Sequence, residues 1–404
     1  MSATSNYDVI IAGGGPAGSS AAINLAMRGA RVLLLEQKKF PRPKLCGEFI
    51  SPECVALFER LGVADQMLAA RPAALTETVF YSRSGHSARV PSSWFGSTGV
   101  ALGLSRAEMD ERLLRRASDA GAHVVENSHV TSLLMDKESV RGVTVKRNGV
   151  ETNYRGAVTV DATGRTRALV RHATSKHDPM KRQRAPMVAF KAHLENTRVA
   201  SGACEIYFYR GGYGGLSSIE NGLSNLCFIA SARNVRESGA NADRVMREVM
   251  CQNQRARETL ANARVQSQWL AVSLEGFGHH AVAPANGLLA IGDAASFIDP
   301  FTGSGMLMAL QSGELAANTI ADYFEAKSGS QSLDQLRANY SAAYDRTFDS
   351  RLKICTLMRK AAFVPGLAEL AVRAFGASEK FRRRLTRATR GREAKPYPST
   401  ARVR

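Results

Sequence analysis

Apolar residues open the chain as a short run, Tyr7 to Ala12, followed by a helix-length segment from Ala17 to Arg28 and a second run from Arg31 to Glu36. Strands covered on both faces read as continuous apolar runs, so this order predicts a strand, helix, strand unit with parallel strands. Leu113, Leu114 and Ala117 fall at helical spacing and predict a helix over Arg106 to Ala120. Strands are expected at His123–Val125, Gly142–Val145 and Ala157–Asp161. From about Thr174 to Ala281 the pattern changes to short alternating segments, Met187–Leu194, Cys204–Tyr209 and Asn225–Ser231, with one helix near Ala242–Cys251. Gly287–Ile291 returns to the character of a parallel strand. The first region is therefore expected to be discontinuous, with a sheet-rich region inserted into it.

Composition sharpens this to a globular, enzyme-sized protein: 404 residues, 44% of them hydrophobic, can bury a sizeable core. No run approaches the roughly 18 to 20 apolar residues of a membrane span. The start, MSATSNYDVIIAGGG, lacks a basic n-region and cleavage pattern, so a cytoplasmic location is expected. Six scattered cysteines without a CxxC pair, and eight histidines without HxH or HExxH spacing, indicate no metal site and no disulfide framework.

The net charge of +18 sits mostly at one end. From Arg351 onward, 15 Lys and Arg face 3 Glu, a balance of +12 that leaves +6 for the rest of the chain. Four readings stay open for this region: a solvated, partly disordered tail, peripheral contact with anionic lipid at the inner face of a membrane, a protein partner, or nucleic acid, the last disfavoured because the charge is not spread over the fold. Ile354, Leu357, Met358, Leu370 and Phe375 give the same region apolar helix faces, suited to a membrane surface or to packing on the protein's own core.

The first candidate chemistry is Gly13-Gly14-Gly15-Pro16-Ala17-Gly18, at the turn from the first strand into the first helix. Gly13 permits the tight turn, Gly15 lets backbone approach a pyrophosphate, and Gly18 lets helix and strand pack closely. Pro16 and Ala17 open the helix, whose N-terminus offers partial positive charge. Glu36 ends the next strand 23 residues after Gly13, where a carboxylate can accept hydrogen bonds from a ribose diol. These residues point to a dinucleotide, and by themselves leave NAD and FAD open.

Two later segments, Val158-Thr-Val-Asp161-Ala-Thr-Gly164-Arg165 and Gly292-Asp293 through Pro300 to Gly303-Ser304-Gly305-Met306, resemble in order the further signatures of the FAD-dependent monooxygenase superfamily, with its para-hydroxybenzoate-hydroxylase-like fold. The resemblance implies FAD as cofactor, with Asp161, Gly164, Asp293, Pro300, Gly303, Ser304, Gly305 and Met306 around it. It places Asp293 on the ribityl chain and the Gly303–Met306 helix start beneath the pyrimidine end of the flavin. Arg106, in Ser105-Arg106-Ala-Glu-Met-Asp110, resembles the Arg that reaches the FAD phosphates; a solvated helix Arg is the other reading. Pro41-Arg42-Pro43-Lys44-Leu45-Cys46-Gly47-Glu48 is similar to a loop of the geranylgeranyl-reductase-like branch, which makes Lys44 and Cys46 candidates for flavin contact and Cys46 the one catalytic candidate; Cys46 as a buried structural thiol stays open.

The expected fold is α/β: a Rossmann-like FAD-binding domain (1–80, 98–173 and 282–350), an inserted, mainly antiparallel substrate domain (174–281 with 81–97), and a basic helical region (351–404). The expected activity is that of an NAD(P)H-dependent monooxygenase, in which a flavin hydroperoxide formed with O2 hydroxylates a small, apolar, aromatic or polyketide-like molecule. NAD(P)H is expected as a transient electron donor at a shallow site, or replaced by another protein, since no second glycine fingerprint is present. The alternative is a C=C reductase or dehydrogenase of an isoprenoid or lipid. Gly212-Tyr213-Gly214-Gly215-Leu216-Ser217 stands where prenyl reductases carry a GY-x-W-x-FP strand, without its Trp, Phe and Pro. Halogenation and a non-enzymatic flavin carrier are more remote.

Overall fold

The computed structural model describes residues 6–96, 98–174, 187–274, 277–298, 303–326, 332–362 and 367–388. In chain order, β1 (Asn6–Ala12), α1 (Pro16–Ala26) and β2 (Val32–Leu35) form the first unit, and β3 (Glu77–Tyr81) and β4 (Ser87–Pro91) a hairpin. Next come α2 (Arg106–Asp119), β5 (His123–Val125), β6 (His129–Asp136), β7 (Ser139–Arg147) and β8 (Val150–Asp161). Then follow β9 (Met187–Glu195), β10 (Ala203–Tyr209), β11 (Gly212–Ser218), β12 (Ser224–Ser231), β13 (Arg264–Val265), β14 (Leu270–Leu274) and β15 (Leu288–Ala290). Four helices end the described chain: α3 (Gly305–Glu325), α4 (Leu333–Ala362), α5 (Leu367–Ala377) and α6 (Glu379–Ala388).

Two sheets carry the architecture. The first has the order β5-β2-β1-β8-β7-β6, with β15 also on β8; β5, β2, β1, β8 and β15 run parallel, and β6 and β7 antiparallel. Val9–Ala12 of β1 and Val32–Leu35 of β2 are apolar at every position because both faces are covered: Val9 and Ile11 join the core shared with α1 and α3, while Ile10 and Ala12 join a second cluster on the opposite face. The second sheet has the order β13-β9-β12-β11-β10-β3-β4, with β14 on β9, and is antiparallel except where β3 runs beside β10. It is the inserted sheet domain expected from the sequence.

Three boundaries differ from expectation. The division at residue 80 cuts through β3, because Glu77–Tyr81 pairs with Ala203–Tyr207 across a long separation that local pattern does not encode. The division at 350 falls inside α4, whose buried face runs on from Tyr340 and Tyr344 through Phe348, Leu352 and Cys355. The helix expected over Ala242–Cys251 ends at Glu248 and gives way to a tight turn at Met250–Gln252. Residues 391–404 of the tail, and Pro300, lie outside the described residues.

Candidate active site

The glycine turn works by close approach. A side chain at Gly18 would meet the Gly13 carbonyl oxygen at 1.8 Å, and one at Gly13, whose φ is +113°, would meet Ala162 O at 2.2 Å. Those two positions therefore lock the end of β1, the start of α1 and the end of β8 together. Gly15 is different: beyond it the nearest atoms to an added carbon are Lys44 Nζ at 3.9 Å and Arg106 Nη2 at 4.0 Å. Lys44 Nζ is also the nearest atom over Gly164, at 4.0 Å. Four segments far apart in sequence, those of Gly15, Lys44, Arg106 and Gly164, thus converge on a gap bounded by two cations.

Charge confirms that the gap suits an anion. Arg106 is buried and forms a two-point ion pair with Asp110 one turn on, Nε to Oδ1 at 2.7 Å and Nη2 to Oδ2 at 2.6 Å. Burial opposes its charge, but Asp110 and Cys46 together outweigh it and hold the guanidinium firmly protonated. Desolvation pulls the Lys44 ammonium below its ordinary value, and the nearby Arg106 adds to the effect. A diphosphate in the gap would reverse that penalty, with backbone N–H groups at the α1 N-terminus completing its cradle.

Glu36 and Asp161 do not line the cavity. Glu36 accepts from Gly14 N at 2.8 Å, Lys38 N at 3.0 Å and Arg42 Nη2 at 3.3 Å, beside the turn. Asp161 differs from the direct cofactor contact expected of it, because four donors fill its carboxylate: Thr163 N and Oγ1, Leu169 N and Val170 N. It positions the turn that carries Gly164.

From the cation gap one continuous cavity of about 620 Å³ runs to the second sheet, a size typical of ligand sites. Pro16, Ala17, Asp293, Gly303, Gly305 and Met306 line its first part, and Phe80, Phe208, Tyr213, Ile229 and Phe297 its second. Burial pushes the Asp293 carboxyl up, with Lys44 pulling the other way. Gly303, Gly305 and Met306 line the cavity and an added carbon over Gly305 would meet nothing within 4 Å, so the start of the 21-residue α3 stands at the cavity wall. Such a helix start stabilises negative charge. Cys46 lines the same cavity; Glu48 N donates to its Sγ at 3.4 Å, and Asn225 Nδ2 to its carbonyl at 3.1 Å.

Beneath the Cys46 loop lies a charge cluster that sequence reasoning missed. Glu48, with a side chain 0% exposed, accepts from Lys191 Nζ at 2.6 Å and Arg106 N at 2.8 Å and pairs with His193 Nε2 at 2.7 Å. Ala189, Lys191 and His193 alternate along β9 and so share one face, which is how a strand delivers two bases to one carboxylate. Burial raises the Glu48 pKa, yet the His193 hydrogen bond and the Lys191 charge more than offset this and hold it below the usual range. The only sequence signal was the Glu of the Cys46-Gly47-Glu48 segment.

The profile of the FAD binding domain family matches residues 6–349. The chain belongs to this FAD-binding family. It is an FAD-dependent oxidoreductase, similar to a menaquinone reductase of Mycolicibacterium smegmatis, 27% identical over 344 residues and covering 79% of this chain and 78% of the relative. A digeranylgeranylglycerophospholipid reductase of Methanoculleus marisnigri is 28% identical over 322 residues, covering 77% and 76%. The solved structure of the flavin-dependent brominase Bmp2 shares the fold, with a TM-score of 0.77 at 23% identity over 95% of this chain and 93% of that one. For FAD the residues present fit: the cation gap at Gly15, Lys44 and Arg106 suits the diphosphate, and the α3 N-terminus suits the electron-accepting end of the ring.

Proposed function

We propose that this oxidoreductase uses FAD to reduce a carbon–carbon double bond of a bulky, apolar, isoprenoid-type molecule. The observation that carries the reading is the single cavity joining the cation gap to an apolar wall. The two reductases similar over three quarters of their length support it, since both are named for isoprenoid-bearing lipids. Bound FAD, once reduced, would supply two electrons as a hydride. The chain's own residues do the rest: Lys44 and Arg106 hold the diphosphate, α3 stabilises negative charge, and the aromatic wall excludes water and fixes the double bond. A hydride adds to one carbon as the π bond breaks, and a proton adds to the other; Cys46, in the cavity wall, is the candidate donor. NAD(P)H at a transient site, or a partner protein, restores the electrons.

A second reading, hydroxylation with O2 and NAD(P)H, is favoured by β11. There Gly215 and Ser217 face the cavity where prenyl reductases carry the bulkier Trp and Phe. Anaerobic mixing of the reduced holoprotein with a geranylgeranyl lipid, which carries no quinone, separates the two. Recovery of oxidised-flavin absorbance without O2, with a product heavier by two hydrogens, is the expected result; recovery only on adding O2 would sink the first reading.

The exposed Leu357 (69%) and Leu370 (62%), near the basic α6, suit transient contact with the inner face of an anionic membrane. Among the described residues no helix is long and apolar enough to cross one. Sedimentation with phosphatidylglycerol vesicles is expected at low salt, weakening as salt screens the charges; equal binding to phosphatidylcholine would count against it.

A further inference from the structure

The family match ends at residue 349, yet the cavity does not close there. Met358 of α4, Val372 and Phe375 of α5, and Leu385 and Thr386 of α6 line it. Val372 is 4% exposed and belongs to one apolar cluster with Ala88, Phe208, Tyr213 and Phe297, so α5 is part of the wall. The Phe375 ring meets Phe80 of β3 edge-on, with centroids 6.1 Å apart. At Gly376 an added carbon would come within 3.3 Å of Ser87 O, which measures how closely the helix lies on β4.

Polar contacts fix this helix in register with the β3–β4 hairpin. Glu369 accepts from Ser82 Oγ at 3.0 Å and from Ser84 Oγ, and pairs with His86 Nδ1 at 3.3 Å. Arg382 of α6 donates to Phe375 O at 2.8 Å, and its guanidinium stands 5.7 Å from the centre of the Trp94 ring. A helix pinned at several points to a sheet edge presents a wall of fixed shape, which a solvated tail does not.

We propose that α5 and α6 set the size of substrate the cavity accepts, with Phe375 and Val372 as the specificity-determining residues. The inference rests on the reading of an apolar, isoprenoid-type substrate. Trimming Phe375 adds room lined by Phe80 and Val372; enlarging Val372 removes it. Changes of a few carbons in an apolar pocket alter discrimination by about tenfold or more.

The test is a titration of the FAD-loaded protein with geraniol, farnesol and geranylgeraniol, read by perturbation of the flavin absorbance. Thermal melts confirm that each variant is folded. Phe375→Ala is expected to shift the ratio of affinities about tenfold toward the longest alcohol, and Val372→Phe to shift it toward the shortest. Folded, FAD-loaded variants that both keep the wild-type ratios overturn the proposal. Wild-type protein that binds none of the three overturns the isoprenoid reading, and this inference with it.

Discussion

Arg106→Ala is expected to lower stability by about 3 to 5 kcal/mol, the cost of leaving one partner of a buried ion pair alone. It is also expected to weaken FAD binding about 100-fold, or roughly 2.7 kcal/mol. The two losses have different causes and separate experimentally. Asp110 is 1% exposed and both its oxygens are filled by Arg106, so the single variant strands a buried carboxylate. The double variant Arg106→Ala/Asp110→Ala removes that stranded charge and should recover much of the stability in denaturant titrations of the apoprotein. FAD affinity, measured by calorimetry, should stay low, because the cation over Gly15 is still missing. Affinity returning with stability would mean that Arg106 acts on the fold alone.

Glu48 is the second site of large effect. Glu48→Ala leaves Lys191, itself 2% exposed, without its carboxylate, for about 3 to 5 kcal/mol. The pH dependence carries a sign. The folded pKa lies below that of an unfolded glutamate, about 4.3, so the carboxylate stabilises the fold fully above that value. The contribution is lost as pH falls from there through the folded pKa. Stability measured between neutral pH and pH of about 3 should therefore fall for the wild type more steeply than for Glu48→Gln, which carries no titrating carboxyl. Parallel curves would show that the pair contributes nothing on folding.

The sequence made the parallel unit legible because its signals are local: an apolar run, a glycine turn, and Glu36 at the next strand end. Gly15 was nameable for the same reason, whereas Lys44 and Arg106 were nameable only through the family resemblance of their segments. What was not legible depended on long-range pairing. Glu77–Tyr81 is recognisable as a strand of the second sheet only through its parallel partner Ala203–Tyr207. Gly212–Ser218, placed by resemblance where prenyl reductases carry a strand, is a central strand whose glycines make room for Tyr209 and Met250. Lys191 and His193 looked like ordinary strand residues, since nothing near them in sequence announces that Glu48 will be buried opposite. The apolar faces of the C-terminal helices divide: Val372 and Phe375 turn inward, while Leu357 and Leu370 turn out.

The interleaving of the two sheets has a consequence for biosynthesis. The chain supplies β3 and β4 to the second sheet before it has completed the first, and returns β15 to the first only after the second is built. A nascent chain emerging from the ribosome holds the β3–β4 hairpin with the other edge of β3 unpaired until β10 is made, and β8 without its neighbour β15 until the second sheet is complete. Unpaired edges of this kind invite association between chains. The helices α5 and α6 that wall the cavity follow every strand of both sheets in the chain, so the pocket is completed only after the sheets that hold it.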